Sequence, residues 1–191
     1  KTTTLYAALT EMNTTDKKII TVEDPVEYRL PGINQIQVNE KIELTFSRVL
    51  RSSMRQDPDI ILVGEMRDQE TAEIGLRAAI TGHMVLSTLH TRDAASTPLR
   101  LVDMGAPRYM VASSLHAVLA QRLVRVICEG CADAYTPIAQ EKEWLNHAMG
   151  RQMNLMQEST QGELKLMHGR GCSRCNMSGY HGRTGVYEML E

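Results

Sequence analysis

Apolar positions along this chain follow two rhythms. Short strand-like runs occur at residues 18–22 (Lys-Ile-Ile-Thr-Val, rich in β-branched residues), Ile60–Val63 and 84–89. Ile60–Val63 is apolar at every position and the other two are mostly so; runs of that length read as strands covered on both faces. Between them, residues 45–56 and Gln69–Ile80 repeat their apolar residues at helical spacing, and Asp68 stands where it can cap the second helix. Thr2–Met12 is Thr-rich and compatible with a further helix. At about 100° per residue, Phe46, Val49, Leu50 and Met54 share one face of the 45–56 helix, and Arg48, Arg51 and Arg55 share the opposite one. Strands alternating with helices predict an α/β domain with a mainly parallel sheet.

The rhythm breaks after residue 126. The stretch 128–175 holds all four cysteines and the single tryptophan, Trp144, in Met-rich polar sequence. It predicts a small module over 127–178, set between an α/β core over 1–126 and a return to that core over 179–191. The opening Lys1-Thr2-Thr3-Thr4 has no signal-peptide pattern and reads as a cut inside a longer chain. The end at Glu191 is equally abrupt.

Composition narrows the function. A length of 191 residues with 42% hydrophobic content suits a domain with a real core. A formal net charge of -2 supplies no attraction for nucleic acid, and 4% aromatic content leaves little for base stacking. No apolar run reaches the roughly 18 residues of a membrane-spanning helix.

Ligands of open parallel sheets bind at the carboxyl ends of the strands. Glu23, Glu65 and His90 follow the three apolar runs at such ends. Carboxylates there can hold Mg2+ or polarise an attacking water, and a histidine can sense a γ-phosphate. Each residue alone has a plainer reading. Glu23 could cap a turn, Glu65 could pair with Arg67 or Arg55, and His90 could be a core histidine. A scaffold has no reason to gather all three at one edge. The arginine face of the 45–56 helix is ordinarily a solvated surface, but guanidinium groups also stabilise a transferring phosphoryl group.

Cys128-Glu-Gly-Cys131 and Cys172-Ser-Arg-Cys175 are two Cys-x-x-Cys pairs. Their spacing suits a closed, structural Zn2+ site, with a helical insert filling the stretch between them. Free thiols, a redox pair or another thiophilic metal such as iron are the alternatives.

Together these segments resemble the type II secretion and type IV pilus assembly ATPase family. Lys1-Thr2-Thr3-Thr4-Leu5 is similar to the end of its Walker A motif, and 21–27 to its aspartate box. Residues 55–68 are similar to its Walker B region and 81–91 to its histidine box. The cysteine pairs are similar to the tetracysteine element of its assembly branch, and 182–188 is a further match. The stretch 64–71 looks like the ATPase of the mannose-sensitive haemagglutinin pilus.

The resemblance implies a RecA-like P-loop NTPase core working as a homohexamer on ATP and Mg2+, beside the Zn2+ of the cysteines. Lys1 and Thr2 would contact the phosphates and Mg2+. Glu23 and Glu65 would serve water and metal, and His83 and His90 would monitor the γ-phosphate. Arg51, Arg55 and Arg67 would couple domains or subunits. An N-terminal domain would complete the pocket, and only the last two residues of the phosphate loop are present. The glycines that form its anion nest are missing, so this fragment is expected to bind nucleotide poorly. The motor would sit in the cytoplasm of a Gram-negative bacterium, peripheral to the inner membrane through a platform protein. Retraction motors of the family generally lack the tetracysteine element, which points to assembly or export. The alternative is a zinc-ribbon interaction module on an inactive NTPase-like scaffold.

Overall fold

In a computed structural model, residues 1–150 and 164–191 are described. The chain divides into two compact units, Lys1–Gln121 with Tyr187–Glu191, and Arg122–Val186.

The first unit is built on a four-stranded parallel sheet. Its strands are β1 (Ile19–Glu23), β2 (Asn34–Gln37), β3 (Ile60–Val63) and β4 (Met84–Ser87), in the order β2-β1-β3-β4. The helices are α1 (Thr2–Met12), α2 (Phe46–Ser53), α3 (Gln69–Ile80), α4 (Thr97–Asp103) and α5 (Arg108–Ser114). Every residue of β1 and β3 is buried. β4 is only partly buried, because it forms an edge of the four-stranded sheet. The continuous apolar runs therefore do what a two-sided core demands.

Strand residues alternate faces, and the core splits accordingly. Val22, Ile61 and Val63 point to one face, with Val49 and Leu50 of α2, Ala72 and Leu76 of α3, and Met110 of α5. Ile19, Ile60 and Leu62 point to the other, where Leu9 of α1 packs. This parity also decides the polar residues. Thr21 and Glu23 share the face of Ile19, so they project towards α1.

Helix boundaries follow capping chemistry. Asp68 caps α3 by accepting from the Thr71 backbone N–H at 2.8 Å. Thr45 caps α2 through the Arg48 backbone N–H at 3.3 Å. The expected 45–56 helix is shorter than its periodicity. It tightens into a 3-10 turn over Met54–Gln56 and stops at Asp57, whose φ of 51° is left-handed. β2, α4 and α5 had no counterpart among the apolar runs.

The second unit holds β6 (Ala132–Tyr135) paired antiparallel with β7 (Leu166–Gly169), and α6 (Ala139–Met149). α6 lies in the sequence between the cysteine pairs, where a helical insert is expected. Two long strands, β5 (Val118–Ile127) and β8 (Tyr180–Leu190), pair with each other, and each runs across the boundary between the units. Among the described residues no helix is long and apolar enough to cross a membrane.

Candidate functional site

Because β1, β3 and β4 are parallel, their carboxyl ends emerge at one edge of the sheet. A cavity of about 200 Å3 opens there, lined by Lys1, Thr2, Tyr6, Glu23, Glu65, Arg67 and His90 among others. Gly64 allows the β1 and β3 ends to close on each other. A Cβ at Gly64 would meet the Val22 carbonyl oxygen at 3.2 Å and Glu23 Cα at 3.3 Å. Thr88 braces the β4 end, its hydroxyl donating to the Gly64 carbonyl at 2.8 Å.

The two carboxylates are held differently. Glu23 is only 3% exposed. Its Oε1 accepts from the Thr21 hydroxyl at 2.5 Å and the Gln35 side-chain amide at 3.2 Å, and its Oε2 accepts from the Tyr6 hydroxyl. Burial, and then the adjacent Glu23 carboxylate, push the Tyr6 phenol up to about 12. Tyr6 is thus a donor at any physiological pH.

Glu65, with its side chain 18% exposed, stands between two nitrogen groups. His90 Nε2 lies 3.0 Å from Oε1, and Arg67 Nε donates to Oε2 at 2.7 Å. The hydrogen bond to Glu65 holds the Arg67 guanidinium above its ordinary value. The side chain of His90 is 75% exposed, so it is not a core histidine. Lys1 Nζ donates to the Leu89 carbonyl at 2.6 Å. Lys1 and Thr2 open α1, whose free N–H groups and positive dipole end favour an anion.

Three residues expected at the site lie elsewhere in this unit. His83 precedes β4 at the amino end of the strands, its Nδ1 3.0 Å from the Ala78 carbonyl oxygen and 3.1 Å from the Thr81 hydroxyl. Arg51 pairs with Glu70 of α3 on the surface. Arg55 is exposed in the 3-10 turn and, like Arg51 and His83, does not line the cavity. Helical periodicity grouped the arginines correctly on one solvent face, but the sheet places only Arg67 at the cavity. Conversely, Tyr6, Thr21 and Gln35 entered the site without any motif to announce them. The available signal was parity, which puts Thr21 beside Glu23 on the α1 face.

The four cysteine sulfurs gather in the second unit, all within 4.8 Å of one another. Cys128–Cys172 is 3.9 Å, and Cys131–Cys175 and Cys172–Cys175 are each 3.8 Å. These are not disulfides, whose sulfurs lie about 2.05 Å apart. A tetrahedron with Zn–S bonds of about 2.3 Å has edges of about 3.8 Å, so this donor set fits Zn2+. The backbone N–H groups of Cys172 and Gly179 donate to Cys175 Sγ at 3.2 and 3.3 Å and lower that thiol to about 6. Burial pushes the Cys131 thiol up to about 11.

The family described as "Type II/IV secretion system protein" matches residues 1–191. Over 190 residues, all of this chain, it is 50% identical to "Type II secretion system protein E" of Dickeya dadantii and 47% identical to "Type II secretion system ATPase E" of Vibrio cholerae. The chain spans about a third of those relatives, 36% of each. Among solved structures, it is similar to the pilus retraction motor PilT, crystallised with ADP, at 35% identity and a TM-score of 0.61. That likeness covers 83% of this chain and 50% of PilT. With the family matched over the whole chain and relatives this similar, the chain belongs to the Type II/IV secretion system protein family.

Proposed function

We propose that this chain is the ATP-hydrolysing part of a motor that drives pilin or pseudopilin assembly, in type IV pilus biogenesis or type II secretion. The observation that carries the reading is one cavity lined by Lys1, Thr2, Glu23, Glu65, Arg67 and His90 at the carboxyl edge of the sheet. Phosphoryl transfer depends mainly on positioning and on charge stabilisation, and these groups supply both.

Lys1 and the start of α1 bind phosphate oxygens. The Thr2 hydroxyl and one carboxylate would hold Mg2+, which neutralises charge on the β- and γ-phosphates when bound. Glu23, with one acceptor position left on Oε2, orients the attacking water and takes its proton. Glu65, held by the Arg67 guanidinium, positions His90 towards the γ-phosphate. The cysteines hold Zn2+ as a structural ion, since four thiolates leave no open coordination position. The tetracysteine cluster and the likeness to type II E proteins favour an assembly or export motor over a retraction motor. The stretch 64–71 favours the mannose-sensitive haemagglutinin pilus type. A homohexamer, docked in the cytoplasm on an inner-membrane platform protein, completes the proposal. The exposed Arg51 and Arg55, with the half-buried His83, are then candidates for contacts with a neighbouring subunit.

The test is ATP turnover by the full-length protein, wild type against Glu65→Gln. Turnover is expected to fall by about 100-fold or more, with nucleotide still bound. Unchanged turnover, or none in the wild type, would remove the assignment and leave the cysteine module as an interaction domain.

A further inference from the structure

We propose that Tyr6 is a positioning residue for Glu23, and that it links the phosphate-binding end of α1 to the carboxylate that handles the attacking water. The proposal rests on the ATPase reading and deepens it.

Tyr6 lies one helical turn beyond Thr2, on the same helix that opens the cavity. It is 1% exposed, so its hydroxyl needs partners inside the protein. Its hydroxyl donates to Glu23 Oε2 and lies within 3.4 Å of both the Glu27 backbone nitrogen and the Gln35 side-chain nitrogen. The ring is fixed as well, stacked edge-on against Tyr28 with centroids 4.7 Å apart. Among the described residues, the other side-chain donors to Glu23 come from its own sheet, Thr21 on β1 and Gln35 on β2. Tyr6 is therefore the donor that ties this carboxylate to α1. A shift of α1 when Lys1 and Thr2 engage phosphate moves the hydroxyl, and with it Oε2, the oxygen with acceptor capacity left. The phenol has its proton tightly held, in line with the rise to about 12. It orients Glu23 without competing for the proton that Glu23 takes.

Tyr6→Phe keeps the ring and removes the donor. In the full-length protein the expected result is a fall in kcat on the order of tenfold or more, the scale on which misplaced groups act. KM for ATP should stay within about twofold, because the phosphate contacts of Lys1 and Thr2 remain. In a Glu23→Ala background, Tyr6→Phe should leave the single-turnover rate unchanged, since the group it positions is gone. A wild-type kcat for Tyr6→Phe would overturn the proposal, as would an equal fall in both backgrounds. A parallel loss of kcat, KM and melting temperature would make Tyr6 a structural residue and overturn it too. If the wild type hydrolyses ATP while Tyr6→Phe is unaffected, this inference fails alone. If the wild type shows no turnover, the ATPase reading fails and takes this inference with it.

Discussion

The two units hold themselves together by different physics. In the first, β1 and β3 are buried along their whole length, and two apolar clusters cover the two faces of the sheet. In the second, the buried side chains among the described residues are Cys128, Pro137 and Cys175. α6 has no buried residue, and Trp144 is exposed. A chain segment that cannot bury apolar area must recover its lost conformational entropy elsewhere. The fourfold sulfur cluster is the evident place, since metal binding and local folding are linked. The difference teaches where a site can be precise. Glu23 and Glu65 stand on a sheet whose two faces are covered by apolar clusters, whereas the order of the cysteine unit would rest on an ion held by its four sulfurs.

Removing the metal should break the comparison most sharply. Chelation, or Cys172→Ser, is expected to abolish hydrogen-exchange protection in β6 and β7. Protection in β1 and β3 should persist. Equal protection in both units after chelation would show that the second has a core of its own. Next in size is Ile61→Ala in β3. Its cavity in the first cluster should cost about 2–5 kcal/mol by urea unfolding, with the β6–β7 pair unaffected. The smallest effect is expected from Asp68→Ala. Loss of the cap on α3 should cost about 1 kcal/mol in the same assay. A cost as large as that of Ile61→Ala would mean that the cap, and not the buried sheet, sustains this unit.

Much of the first unit was legible because its signals are local. Ile60–Val63 and Gln69–Ile80 have the bounds that run length and capping predict. The run at 84–89 ends early, at Ser87, because Thr88 leaves the ladder to brace Gly64 and Met66. β2 escaped notice because Asn-Gln-Ile-Gln is no apolar run. It is a strand because the register with β1, Ile20 opposite Asn34 through Glu23 opposite Gln37, satisfies its backbone. That register also carries Gln35 to Glu23, which no local pattern contains.

The sequence by itself determined that Ile60–Val63 becomes a strand and Gln69–Ile80 a helix, which strand ends carry acid or histidine, and which four sulfurs are spaced for one ion. Those properties depend on periodicity, burial preference and short spacings, all written locally. Only the tertiary structure decided that Glu23 is caged by Tyr6, Thr21 and Gln35 while Glu65 stands between Arg67 and His90. Only it decided that His83 lies at the opposite end of β4, and that Arg67 alone of the three expected arginines reaches the cavity. The reason is that parallel strands bring together residues far apart in the chain. Their side-chain directions follow from register and helix packing, which no single segment encodes.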